Sequence, residues 1–196
     1  MNLLVKRKAL QHLIGKGIWQ KVRFAKQQSS YNPNSVSCVF VLDSEGDPDA
    51  VAADLERGRA SCAPEFPMAI GVAHPCIEAW LLAGASAIRR GLGITTGPRP
   101  IAPPQPESLP APQRDRKDNP KTALAACHPN NRHPNLAEKS SMAEHLDFAV
   151  AEDRCPSLLA FATEVRTQIR DRFYPLPPEP TDAESTEDGP DTTPPT

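Results

Sequence analysis

Val36 to Leu42 reads VSCVFVL, a nearly continuous apolar run. A short segment of this kind, without polar alternation, suits a strand covered on both faces in a parallel sheet. Directly after it comes DSEGDPD, which puts four carboxylates, Asp43, Glu45, Asp47 and Asp49, within seven residues. A buried strand ending in a tight acidic turn places hard oxygens at the carboxyl edge of a sheet. Open α/β proteins bind ligands at that edge, and one or two carboxylates commonly hold Mg²⁺. The same residues also have a plain structural use. Gly46 and Pro48 make a good turn, Asp47 can cap a helix that begins at Pro48, and Asp49 suits the positive end of that helix. Residue types alone leave both readings open.

The downstream pattern predicts a helix over Asp49 to Arg59, a short strand over Met68 to Val72, and a helix from Pro75 to Ala87 that carries IEAWLLAGASAI. Strand, helix, strand, helix in this order is the signature of a βαβ layer, with parallel neighbouring strands and a right-handed crossover. Glu78 then lies in the first turn of a helix that starts on the same sheet edge as Asp43. With neighbouring strands roughly 4.8 Å apart, Glu78 and the acidic turn can approach each other. A carboxylate at a helix N-terminus is also simply stabilising. Trp80 reads as a core anchor. Helical signals resume at Pro120 to Cys127, Leu136 to Ala151 and Pro156 to Arg172, the last with Leu158, Leu159, Phe161, Val165 and Ile169 on one stripe. Upstream, Leu3 to Gln28 is basic and helix-prone, with Gly15 and Gly17 as breaks.

Of the 196 residues 23 are proline, and the Pro-rich stretches fall in two blocks. Gly97 to Pro112 is too Pro-rich for a helix or a central strand, so residues 97–118 are expected to form a mobile loop. Residues 175–196 combine Pro, Asp, Glu and Thr with almost nothing apolar and read as a disordered acidic tail. The packed remainder, about 140 residues, supports a single α/β domain within residues 1–174. A net charge of −2 supplies no global field toward nucleic acid or an anionic membrane. No run of eighteen apolar residues occurs, and Lys6, Arg7 and Lys8 interrupt the N-terminal segment, so a soluble cytoplasmic protein without a membrane partner is expected. The cysteines at 38, 62, 76, 127 and 155 form no C-x-x-C pair and suit a reducing compartment.

Lys121, in DNPKTAL, can neutralise a phosphate as a flexible point charge, or be a solvated lysine at a helix start. Arg114, Arg116 and Lys117 are offset by Asp115 and Asp118 and read as a solvated charge run. The histidines at 74, 128, 133 and 145 have no metal-ligand spacing. No G-x-G-x-x-G or P-loop follows a strand, which counts against a nucleotide-binding module.

Four pieces in order, VFVLDSEGD, HPCIEAWLLA, DNPKTAL and CPSLLAFATEV, carry a family resemblance over residues 36–172. The chain resembles an uncharacterised bacterial family of small Toprim-like proteins, related in pattern to the Toprim domains of the overcoming-lysogenization-defect nucleases and of RloB-like phage-defence proteins. That resemblance implies a Rossmann-like, mostly parallel sheet flanked by helices. It also implies Mg²⁺-dependent phosphodiester chemistry on nucleic acid, with Mn²⁺ as a substitute ion. Asp43 matches the first acidic residue of the D-x-D motif, Glu45 stands where the second is expected, and Asp47 is a fallback metal ligand. Glu78 and Lys121 are the expected catalytic residues. Active Toprim domains also carry a glutamate at the end of a first strand, whereas no acidic residue precedes Asp43 here. The expectation is therefore a chain that begins downstream of that strand or is catalytically degenerate. In the second case it would serve as a non-catalytic adaptor beside an ATPase or another protein.

Overall fold

In the computed structural model, the described residues are 37–60, 67–97, 102–113 and 117–173. The basic N-terminal segment and the acidic tail lie outside them. The chain is a mixed α/β protein. Strand β1 (Cys38–Asp43) leads into helix α1 (Pro48–Ala60), which leads into strand β2 (Met68–Ala73). The strands pair in parallel, with Cys38 opposite Met68 and Asp43 opposite Ala73. Among the described residues these two strands make up the whole sheet.

The flanking helices lie mainly on β2, whose residues are largely buried. Strand β1 is less covered than its apolar run predicts, and Val39 remains 51% exposed. The expectation of cover on both faces therefore fits β2 better than β1.

Helix α2 (Ile77–Leu82) is buried almost all round and divides the interior in two. Trp80 packs on one side with Ala73, Ala151, Cys155 and Leu158; Leu81 and Leu82 pack on the other with Ile88, Leu124 and Met142. Successive helical residues point about 100° apart, so three consecutive apolar side chains can serve two clusters. The helix expected over Pro75 to Ala87 is divided, because Gly84 takes an extended conformation and starts α3 (Ala85–Gly91). Helix α4 (Pro120–Ala126) begins at a cap in which the Asn119 side chain accepts the Thr122 N–H at 3.1 Å.

The helix expected over Leu136 to Ala151 is likewise two helices, α5 (Leu136–Glu144) and α6 (Phe148–Arg154), with Asp147 capping the second. Helix α7 (Pro156–Val165) packs on β2 and continues through one wide turn to Phe173. Gly71 makes this approach possible, since a Cβ there would lie 2.4 Å from the Phe161 ring.

Within the Pro-rich stretch expected to be mobile, residues 102–113 make specific contacts with the folded elements. Pro106 is fully buried, and Leu109 joins the second cluster. The Glu107 carboxylate accepts the Ser157 N–H at the start of α7 and the Trp80 indole N–H at 3.2 Å. The Arg154 guanidinium donates to the carbonyls of Pro103, Pro104 and Ala83. A carboxylate at a helix N-terminus and a guanidinium at a helix C-terminus each complement the helix dipole, which anchors a segment with little apolar surface of its own. Glu107→Ala is expected to cost about 2 kcal/mol. It should also speed amide hydrogen exchange across residues 105–111; unchanged exchange would mean that the carboxylate does not hold the segment.

Candidate functional site

The parallel register brings the ends of β1 and β2 together, and the loops that follow are joined by backbone hydrogen bonds. Ser44 N–H donates to the Ala73 carbonyl at 2.9 Å, and Glu45 N–H to the Pro75 carbonyl at 3.2 Å. The His74–Pro75 peptide is cis. Ser44 is buried, with its Oγ 2.9 Å from His74 Nδ1 and 3.3 Å from the Pro75 carbonyl. His74 thus has a hydroxyl neighbour that the sequence did not reveal. At 2% exposure Ser44 is a strut between the loops, with no surface open to a substrate.

Asp43 stands at the mouth of this edge. Its Oδ1 accepts the Ile77 N–H at 2.9 Å, which satisfies a free donor at the start of α2, where the N-cap residue Cys76 offers no side-chain bond. Its Oδ2 lies 4.0 Å from Lys121 Nζ. One helical residue beyond Ile77, Glu78 is only 5% exposed. Its Oε1 accepts from Lys139 Nζ at 2.6 Å, and its Oε2 is buried without a hydrogen-bond partner. An unsatisfied carboxylate oxygen in a protein interior is costly, and few native groups are left so.

The electrostatics follow from this crowding. Burial raises the Asp43 pKa, and Glu78 and Glu45 raise it further, against the Ile77 N–H and Lys121. Burial works against ionised Glu78 as well, but the Lys139 ammonium and the Cys76 thiol outweigh it and hold the carboxyl below its ordinary range. The Cys76 thiol is pushed up to about 12 by burial and by Glu78, so it is an inert neutral neighbour. Glu78 and Asp43 therefore act oppositely on stability. The contribution of Glu78 is present above its unfolded pKa and is lost as pH falls through the depressed folded value. The contribution of Asp43 is present at acid pH and is lost as pH rises through the elevated folded value.

The structure brings together three of the five expected site residues: Asp43, Glu78 and Lys121. Glu45 is exposed in a left-handed backbone conformation, with φ at 50°, and acts on Asp43 only through its charge. Asp47 is committed to α1, where its Oδ1 accepts the Ala50 N–H at 3.0 Å. Among the described residues no group of three or more His, Cys, Asp or Glu side chains is placed to hold a metal ion. The D-x-D-like turn is thus not gathered into one ligand set. Lys139 is the residue that sequence reasoning missed. It lies on α5, just past the capping box formed by Asn135 and Glu138. The signal that points to it is indirect: a buried glutamate requires a cation, and only the tertiary fold shows which one.

No protein-family model matches this chain, and comparison with curated proteins and with solved structures found no match. No helix among the described residues is long and apolar enough to cross a membrane.

Proposed function

We propose that this is a Toprim-like, Mg²⁺-dependent protein that acts on or binds the phosphodiester backbone of nucleic acid at the carboxyl edge of the β1–β2 pair. The observation that carries the reading is the buried Glu78 Oε2, which has no hydrogen-bond partner, on a carboxylate whose charge reaches Asp43. These two carboxylates would hold the ion, because Mg²⁺ keeps several waters and needs only one or two protein carboxylates. Glu45 and Asp47 stand outside that pair. When bound, the ion supplies charge stabilisation at a phosphoryl oxygen. Lys121, exposed at the rim, neutralises phosphate charge there. The resemblance of the four sequence pieces supports a role in defence against phage or mobile DNA.

A second reading has its own support. Two lysines already balance the two carboxylates, and Asp43 is used as a cap on α2. On that reading the chain is a non-catalytic adaptor beside an ATPase or another protein. Mn²⁺ titration of the full chain, followed by electron paramagnetic resonance of the free ion, decides between them. Asp43→Asn keeps the oxygen that accepts the Ile77 N–H and removes the charge. It is expected to leave the fold intact and to weaken Mn²⁺ binding at least about tenfold. Equal affinity in the two proteins would favour the adaptor.

A further inference from the structure

Glu78 is the most deeply buried carboxylate of the edge, and its two oxygens differ. Oε1 is held by the Lys139 ammonium at 2.6 Å, whereas Oε2 has no partner. A glutamate buried as a permanent structural ion pair is expected to have its remaining lone pairs satisfied by further donors. Here Oε2 is left without a hydrogen bond, with the weak donor of the Cys76 thiol as a neighbour of the carboxyl, and Asp43 feels the Glu78 charge. Lys139 is itself 29% exposed along its side chain, on a long flexible stem, so its ammonium is not sealed in. Lys121 is farther from its carboxylate, at 4.0 Å, and more exposed.

We infer that Lys139 is a resident cation that stands in for the divalent ion beside Glu78, competes with it, and is released toward phosphate when the ion binds. The inference rests on the proposed ion site. An ammonium one hydrogen bond from a ligand oxygen repels an incoming dication and occupies one of the carboxylate's acceptor positions. As the ion takes over Glu78, Lys139 loses its partner and becomes available as a second positive group at the mouth of the edge. Substrate phosphate and ion then support each other's binding, because the two lysines balance the two carboxylates without the ion, and the dication adds positive charge that a phosphate offsets. Lys139 is on this account a positioning residue, acting through Glu78.

The test is Mn²⁺ titration of the full chain, as the native protein and as Lys139→Gln, Lys139→Arg and Glu78→Gln, with free Mn²⁺ read by electron paramagnetic resonance. Lys139→Gln retains a donor for Glu78 Oε1 but no charge, and is expected to bind Mn²⁺ roughly tenfold more tightly than the native protein. Lys139→Arg keeps the charge and should bind as the native protein does, and Glu78→Gln should bind at least about tenfold more weakly. Thermal unfolding of each variant checks that the fold is retained. Lys139→Gln binding no more tightly than a native protein that itself binds Mn²⁺ would overturn the resident-cation inference and leave the ion site standing. Absence of binding in both the native and Lys139→Gln proteins would overturn the two together.

Discussion

Trp80→Ala is expected to destabilise the protein by about 4 kcal/mol, the range for removing a large aromatic side chain from a packed core. The indole is 5% exposed and stacks on the Phe161 ring with centroids 5.5 Å apart. Its N–H donates to Ser157 Oγ at 2.8 Å and to Glu107 Oε1 at 3.2 Å. One side chain therefore joins α2, α7 and the Pro-rich segment. Truncation removes both the apolar contact and the donor. Trp80→Phe separates the two: it retains most of the buried ring and should cost about 1 to 2 kcal/mol, the value of the lost hydrogen bonds. Chemical denaturation measures both variants. A loss below about 1 kcal/mol for Trp80→Ala would mean that the residue is not a core anchor.

Gly91→Ala is expected to cost about 3 kcal/mol. A Cβ at this position would lie 2.5 Å from the backbone nitrogen of Met142 and 2.6 Å from its Cα. Backbone cannot swing aside as a side-chain tip can, so α3 and α5 must move apart and disturb the cluster that contains Met142 and Ile88. For a domain of this size the thermal midpoint should fall by about 10 °C. Gly93→Ala provides the comparison. That glycine has φ at 64° and no atom within 4 Å of an added Cβ, so it tests backbone conformation without a clash. Its cost should be about 1 kcal/mol. Equal effects at the two positions would show that the close approach of α3 and α5 is not what requires Gly91.

Much of the local structure was legible in the chain. The apolar runs marked both strands, and the expected Met68 to Val72 strand falls one residue short of the observed Met68–Ala73. Asp47, Pro48 and Asp49 formed a helix start, and Asp47 is indeed bonded to the Ala50 N–H. The two long helices were over-extended because apolar spacing continued across their breaks. Gly84 and Asp147 were visible signals of those breaks, but a glycine and an aspartate also occur inside helices, and periodicity outweighed them. The contacts of the Pro-rich segment were not legible for a different reason. Composition measures how little apolar surface a segment owns, not whether Glu107 and Leu109 find partners on elements around them.

The site shows the same division. Strand order alone places Asp43 and Glu78 at one sheet edge, because parallel strands joined through a helix align their carboxyl ends. Four carboxylates in a turn, however, do not make a ligand set. Backbone geometry turns Glu45 outward, and the free N–H groups of α1 claim Asp47. The partner of Glu78 arrives from 61 residues along the chain, on a helix whose own sequence has no acidic-site signature. Local periodicity and capping are short-range and can be read within a turn or two of chain. Which cation meets a buried charge depends on how α5 packs against α2, and that packing is set by the whole interior.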